Sequence, residues 1–316
     1  MTDRRQSGWN KVYGWGLLCV SLMGLLVLSS TRPLKILPSA SAKAEILQLE
    51  VAISQFQMAF GRYPPGFVVI KESPEDWAAR DKRLIRRIWP SFDYTQEFDL
   101  NNDGDTDDVH TLSGAECLVF FLGGVTSPQD GILIGFSKEP TRPFSVLDEN
   151  RWGPFYEFDY GRMVDVDDDG FSEVVSSHPG ATTPIFYSGP LTKHGCDKRA
   201  LNVFPPGDSR NLQSTYQKPG GLPWKLSTFQ LICPGLDDQY GLGGVYYDAD
   251  RSDSGFFESE RTIECDNITN LSLTSPGPHN RVSMQDVITT LLACAVVIAF
   301  AAFGARLLIV SLRCID

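Results

Sequence analysis

Residues 42–60 read AKAEILQLEVAISQFQMAF and carry apolar side chains along one side. The apolar positions recur at spacings of three and four, the period of one face of an α-helix. They are Ile46, Leu49, Ile53, Phe56 and Phe60. Gly61 and the Pro64-Pro65 pair end the pattern, since neither residue type continues a helix. The stretch therefore predicts an amphipathic helix that packs on its own domain.

Two more helices are predicted downstream, from Pro74 to Ile88 and from Ser113 to Leu122. The second opens on Ser113-Gly-Ala-Glu116, the pattern of a capping box. Short β-rich runs separated by turn residues follow. They are Ile132 to Phe136, Phe155 to Tyr160, Ile185 to Ser188, Ser227 to Cys233 and Gly244 to Tyr247. Helices followed by antiparallel strands predict the α+β class.

Two uncharged apolar segments lie near the ends of the chain, Val12 to Ser30 and Val287 to Ala305. Each is close to the roughly 20 residues that a helix needs to cross a bilayer. A buried core helix is the alternative for both segments, and a cleaved signal peptide is a further alternative for the first. We expect two transmembrane helices.

Basic residues flank these segments on the outer ends of the chain, and cytoplasmic flanks carry the Lys/Arg excess. They are Arg4, Arg5, Lys11, Arg306 and Arg313. The expected localisation is the inner (cytoplasmic) membrane, double-spanning, with the main domain extracytoplasmic or periplasmic. The expected domains are an anchor at 1–30, a domain at 31–273, a linker at 274–286 and a second anchor at 287–316.

The chain is acidic, with 39 Asp and Glu against 28 Lys and Arg and a net charge of −11. Binding to nucleic acid needs a basic face, so the composition argues against a nucleic-acid partner. An acidic surface kept for solubility explains most of these carboxylates. The remaining carboxylates are suited to binding cations.

Two loops place acidic or amide side chains at positions 1, 3, 5 and 9 and glycine at position 6, in the manner of a calcium loop. The first holds Asp99, Asn101, Asp103, Gly104 and Asp107, and the second holds Asp165, Asp167, Asp169, Gly170 and Glu173. Alternate side chains in a tight turn converge on one ion, and calcium prefers six to eight oxygen ligands. The sequence therefore predicts bound Ca²⁺.

Neither loop has the glutamate that closes an EF-hand at position 12, where His110 and Ser176 stand instead. The remaining ligands would come from other segments or from water, and an acidic turn without an ion is the alternative. A weaker third candidate combines Asp250, Ser252, Ser254, Gly255 and Glu258.

Motifs for catalysis are missing, among them His-Glu-x-x-His, Gly-x-Ser-x-Gly and a phosphate-binding Gly-Lys-Ser/Thr loop. We therefore expect a protein that is not an enzyme. Four cysteines outside the apolar segments could form two disulfides in one of three pairings. They are Cys117, Cys196, Cys233 and Cys265.

Three segments together resemble the pseudopilins of type II secretion, and the major pseudopilin in particular. They are Phe60-Gly-Arg-Tyr63-Pro64, the stretch from Cys233 to Gly244, and Asp266-Asn-Ile268-Thr-Asn270. The resemblance implies a membrane helix continued by a packed helix, a small antiparallel sheet and a calcium site near the C-terminus. Asp237 and Asp266 match the calcium-site elements, and Asp238 replaces the usual glycine.

The chain departs from that family in an insertion over about 70–225, in a missing prepilin signal and in the added C-terminal segment. We therefore expect a non-catalytic, pilin-like, calcium-binding membrane protein. It would act with other secretion or pilus-like proteins in type II secretion or cell-surface assembly. The alternatives are an exported calcium-dependent adhesion or recognition module, and a membrane-anchored hydrolase.

Overall fold

The computed structural model describes residues 36–75, 77–190, 198–205, 207–218, 220–245 and 267–271. These residues form three α-helices, which are α1 (Ile36–Phe60), α2 (Ala79–Ile88) and α3 (Gly114–Gly123). Two short 3₁₀ turns occupy Tyr160–Arg162 and Lys198–Leu201.

Eleven short strands form five small sheets in the same residues. The strands are β1 (Val68–Lys71), β2 (Val109–Leu112), β3 (Phe136–Ser137), β4 (Arg151–Trp152), β5 (Met163–Val164), β6 (Glu173–Val174), β7 (Phe186–Ser188), β8 (Tyr216–Gln217), β9 (Gln230–Cys233), β10 (Gly244–Val245) and β11 (Ile268–Thr269). The largest sheet is antiparallel with the order β11-β9-β7, and the others are the pairs β1-β2, β3-β4, β5-β6 and the parallel pair β8-β10.

Helix α1 buries the side predicted from the sequence. Ile46, Leu49, Ile53 and Phe56 are at most 1% exposed. The Phe56 ring packs against three other aromatic rings, those of Phe60, Phe121 and Phe155, at centroid distances of 4.5 to 5.8 Å. The helix starts at Ile36, before the expected Ala42, and so includes Pro38 in its first turn. Proline is tolerated there because the first N–H groups of a helix have no partner within it.

Helix α3 lies at the centre of the core, and all ten of its residues are buried. It contacts β2, β6, β7 and the second 3₁₀ turn. A Cβ atom at Gly114 would lie 2.1 Å from the backbone oxygen of Tyr187, so glycine is required for this approach to β7. The capping box at Ser113 and Glu116 is confirmed, since the Glu116 carboxylate accepts the Ser113 N–H. Glu116 is thereby fixed at the start of an apolar helix.

The predicted fold class requires correction. The described chain is α+β, with three helices and several small sheets, but the predicted membrane-spanning helices are contradicted. No helix among the described residues is long and apolar enough to cross a bilayer. The same finding corrects the predicted localisation as a double-spanning protein of the inner membrane. The segments 12–30 and 287–305, on which these predictions were based, lie outside the described residues.

Smaller differences have local causes. Helix α2 starts at Ala79 and not at Pro74, because the Trp77 indole is buried and donates to the Ser73 oxygen in a turn that precedes the helix. Residues 155–160 form no strand. Cys117 is a free, buried thiol, which excludes the possibility of two disulfides among the four cysteines. Cys196 and Cys265 lie outside the described residues.

Candidate metal centre

The second acidic loop connects the two strands of a hairpin. Strands β5 and β6 pair antiparallel, with Val164 opposite Glu173, and residues 165–172 join them. Arg162, directly before β5, forms an ion pair with Glu45 of α1 at 2.7 Å and donates to the Val175 oxygen at 2.8 Å. The hairpin is therefore held to α1 and presents its connecting loop at a fixed position.

The loop backbone adopts the turn that its sequence predicts. Asp168 and Gly170 have φ angles of 58° and 90°, in the region that favours glycine. The Asp165 carboxylate accepts the Gly170 N–H at 2.9 Å, across the turn. The Asp169 carboxylate accepts the Phe171 N–H at 2.9 Å. These bonds bring the carboxylate oxygens of Asp165, Asp167 and Asp169 within 4.8 Å of one another.

Two buried glutamates complete this cluster. Glu173, on β6, is 0% exposed, and Glu116, on α3, is 1% exposed. Each offers an oxygen within 4.8 Å of the other and of Asp167. One oxygen of each glutamate is used by a backbone donor, the Ser113 N–H for Glu116 and the Val166 N–H for Glu173. The second oxygen, Oε1 in both, is buried and accepts no hydrogen bond.

The electrostatics of these carboxyl groups reflect burial without a cation. Burial, with the neighbouring Asp169, raises the pKa of Glu116 to about 9. Burial, with the neighbouring Glu116, raises the pKa of Glu173 to about 9. Burial and the charges of Asp169 and Asp165 raise the pKa of Asp167 to about 6. No Lys or Arg of the described residues forms an ion pair with this cluster. A bound cation would supply the missing positive charge.

The first acidic loop has the same geometry as the second. Asn102 and Gly104 have φ angles of 61° and 101°, at the positions equivalent to Asp168 and Gly170. The Asp99 carboxylate accepts the Gly104 N–H at 3.1 Å, and the Asp103 carboxylate accepts the Asp105 N–H at 3.1 Å. Two separate segments of the chain thus fold into matching turns, and this supports a shared role.

The ligands gathered around the first loop differ from those predicted. Asp103, Asp105 and Asp108 come within 4.8 Å of one another, as do Glu72, Asp108 and His110. Glu72 is 0% exposed and its Oε1 lies 2.9 Å from His110 Nε2, while Oε2 is buried without a partner.

Three predicted ligands of the first loop lie outside these groups. Asp107 is exposed, and its pKa is raised by the neighbouring Asp105. Asn101 donates its amide to Asp103 and Asp108, at 3.0 and 2.9 Å. Asp99 keeps one buried oxygen without a partner.

The two loops are neighbours in the fold. A Cβ atom at Gly170 would lie 3.6 Å from the Cβ of Asn101 in the other loop. The His110 and Phe171 rings meet at a centroid distance of 4.8 Å. The acidic loops therefore form one centre with two parts.

The predicted C-terminal site is only partly visible. Strands β9 and β11 bring Cys233 opposite Ile268, so the two segments of the resemblance do meet. Asp237 is exposed, whereas Asp266 and the weaker candidate at 250–258 lie outside the described residues. Asp238 has a φ of 61°, and its carboxylate accepts the N–H groups of Thr182 and Thr183 at 3.0 Å each. The Asp238 carboxylate therefore links its own turn to residues 182–183.

Comparison with known proteins does not assign the chain. It matches no family model, no curated protein and no solved structure. The resemblance to pseudopilins and the role in secretion or cell-surface assembly stay predictions.

Proposed function

We propose that the protein is a non-catalytic calcium-binding protein whose principal ion lies between the second acidic loop and helix α3. Glu116, Asp167 and Glu173 would bind the ion, together with Asp165 and Asp169. The observation that carries the proposal is the pair of buried glutamate oxygens, on Glu116 and Glu173, that accept no hydrogen bond. A buried polar oxygen without a hydrogen bond costs free energy, and a bound cation would give both oxygens a partner.

The chemistry of the ligand set supports calcium over other cations. All five side chains offer carboxylate oxygen, the ligand that calcium and magnesium prefer. Magnesium keeps several of its waters and uses one or two carboxylates, whereas calcium accepts six to eight oxygens. Zinc prefers nitrogen and sulfur ligands in a four-coordinate arrangement. A ligand set made of carboxylates alone therefore suits calcium best.

The same reasoning extends to a second ion in the first loop. Its turn has matching backbone angles, and Glu72 supplies a buried oxygen without a partner. Asp103, Asp105 and Asp108 are its nearest acidic neighbours in one cluster. We expect two ions for each chain, with the site that includes Glu116 binding more tightly because its ligands are more deeply buried.

Calcium titration of the metal-free chain by isothermal calorimetry tests this proposal. The Glu116→Gln variant removes one ligand charge and keeps the shape of the side chain. It should weaken one calcium-binding step by at least about tenfold, because a directly bound carboxylate is lost. The Glu149→Gln variant is the matched control, since Glu149 is exposed and the change in net charge is the same. Equal calcium affinity in the Glu116→Gln variant and the parent would remove the proposed site.

A further inference from the structure

A cleft bordered by the end of α1, by α2 and by the end of β7 has basic residues among its described lining, whereas the metal centre is acidic. It has a volume of about 520 Å³ and is lined by residues that follow α1, by α2 and by the end of β7. Arg62, Arg80 and Arg87 line it, together with the aromatic rings of Tyr63 and Phe67. No Asp or Glu is among the described lining residues. Such a surface is unexpected on a chain with a net charge of −11.

The arginines reach the cleft from separate parts of the chain. Arg62 follows α1, while Arg80 and Arg87 lie two turns apart on α2, which places them on one side of that helix. Arg80 and Arg199 place their guanidinium groups over the Phe67 ring, at 5.8 and 4.2 Å from its centroid. Convergence of separate segments distinguishes this cleft from the ordinary basic side of one helix.

Two other basic residues of α2 do not line the cleft and pack on a different aromatic ring. Lys82 and Arg86 lie over the Tyr94 ring, at 5.4 and 5.1 Å from its centroid.

Arg62 and Arg87 are exposed, and neither has an ion pair with another described residue. They are therefore placed to bind an anion from solution, and guanidinium groups bind carboxylates through two parallel hydrogen bonds.

The surroundings limit the size of that anion. Beyond the cleft the chain is acidic, so a long polyanion such as nucleic acid would be repelled. A volume of this size suits a small ligand or the last residues of a polypeptide. Leu84 and Tyr63 are among the lining residues and add apolar surface beside the arginines. We propose that the cleft binds a compact organic anion, in which a carboxylate adjoins an apolar or aromatic group.

Binding of benzoate to the calcium-loaded full chain tests this proposal by calorimetry. We expect saturable binding in the millimolar range or tighter, and at least about tenfold weaker binding of neutral benzamide, because the carboxylate is the group recognised. A short peptide ending in phenylalanine, with a free or an amidated C-terminus, distinguishes the two sources of the anion. Tighter binding of the free peptide than of benzoate assigns the cleft to chain termini, and the reverse order assigns it to free acids.

Variants test the residues. Arg62→Ala combined with Arg87→Ala should weaken benzoate binding about tenfold, since two carboxylate donors are lost. Arg87→Lys keeps the charge but not the planar donor pair, and should weaken it less. Arg83→Ala is the control, because Arg83 is exposed on the same helix and does not line the cleft. Absence of saturable binding of any carboxylate, or an equal loss in Arg83→Ala, would overturn the proposal.

Discussion

At the residue scale, the buried carboxyl groups of Glu116 and Glu173 dominate the account. Glu116 caps a helix that is apolar throughout, and Glu173 starts a buried strand beside it. Burial is the main reason that the pKa of both is raised to about 9, and the nearby charge of Asp169 adds to it at Glu116 and that of Glu116 adds to it at Glu173. In the absence of metal, both groups therefore hold protons at neutral pH, and calcium binding has to displace them.

The stability of the metal-free protein should consequently depend on pH. In the unfolded chain these glutamates lose their protons near 4.5, whereas in the folded chain they keep them to about 9. Between these values the folded state binds more protons, so the free energy of unfolding falls as pH rises. The fall is at most about 1.4 kcal/mol per pH unit for each group.

Urea unfolding with EDTA at about pH 5 and about pH 8 measures this dependence. The control is the Glu116→Gln and Glu173→Gln double variant, in which both titrating groups are absent. The parent should lose more stability than the double variant between the two pH values, and excess calcium should remove the difference. If the parent and the double variant lost the same amount of stability between the two pH values, the assigned burial of these glutamates would be contradicted.

These residues also mark a limit of sequence reasoning. The spacing of Asp165, Asp167, Asp169 and Glu173 predicted the acidic loop because its ligands are close in the chain. Glu116 was recognised only as a helix cap, and Glu72 carried no motif. Both reach the centre through tertiary packing, which local spacing does not encode. The burial of a charged side chain in an otherwise apolar helix was the signal available for Glu116.

At the element scale, the matching turns of the two loops are the main finding. Each needs a left-handed backbone at its glycine, Gly104 in one loop and Gly170 in the other. The glycine at position 6 predicted this turn from the sequence alone.

Helix α1 was predicted by its apolar stripe, but its start was not, because a proline in the first turn costs little. The two-residue strands were predicted poorly, since they give too short a pattern.

The conformation of the second loop can be tested through Gly170→Ala. A Cβ there has ordinary contact distance to Asn101, so the cost comes from the backbone φ of 90°. We expect a loss of about 1–2 kcal/mol in stability, together with weaker calcium binding, because the turn that orients the ligands is strained.

Gly131→Ala is the matched control for this variant. Gly131 has a φ of 71° and open space around it, and it lies outside both acidic loops. The Gly131→Ala variant should lower the thermal unfolding temperature about as much as Gly170→Ala does. Its calcium affinity, measured by calorimetry, should equal that of the parent. A similar loss of calcium affinity in both variants would show that the loop turn has no special role.

At the scale of the whole molecule, the fold brings the second acidic loop next to Glu116 of the buried helix α3 and places the first loop beside the second. The α+β order was predicted from helices that precede short strands, and the core side of α1 from its periodicity. The predicted membrane-spanning helices are contradicted, since no helix among the described residues is long and apolar enough to cross a bilayer. The resemblance to pseudopilins was based on short segments, and the pairing of β9 with β11 brings two of them together among the described residues.

The proposed calcium ion lies between the second acidic loop and α3. Its most direct test is an anomalous difference map from crystals of the full chain grown with calcium. We expect a peak about 2.3–2.6 Å from the carboxylate oxygens of Glu116, Asp167 and Glu173. A map without density at these carboxylates, while calcium is bound elsewhere in the same crystal, would contradict it.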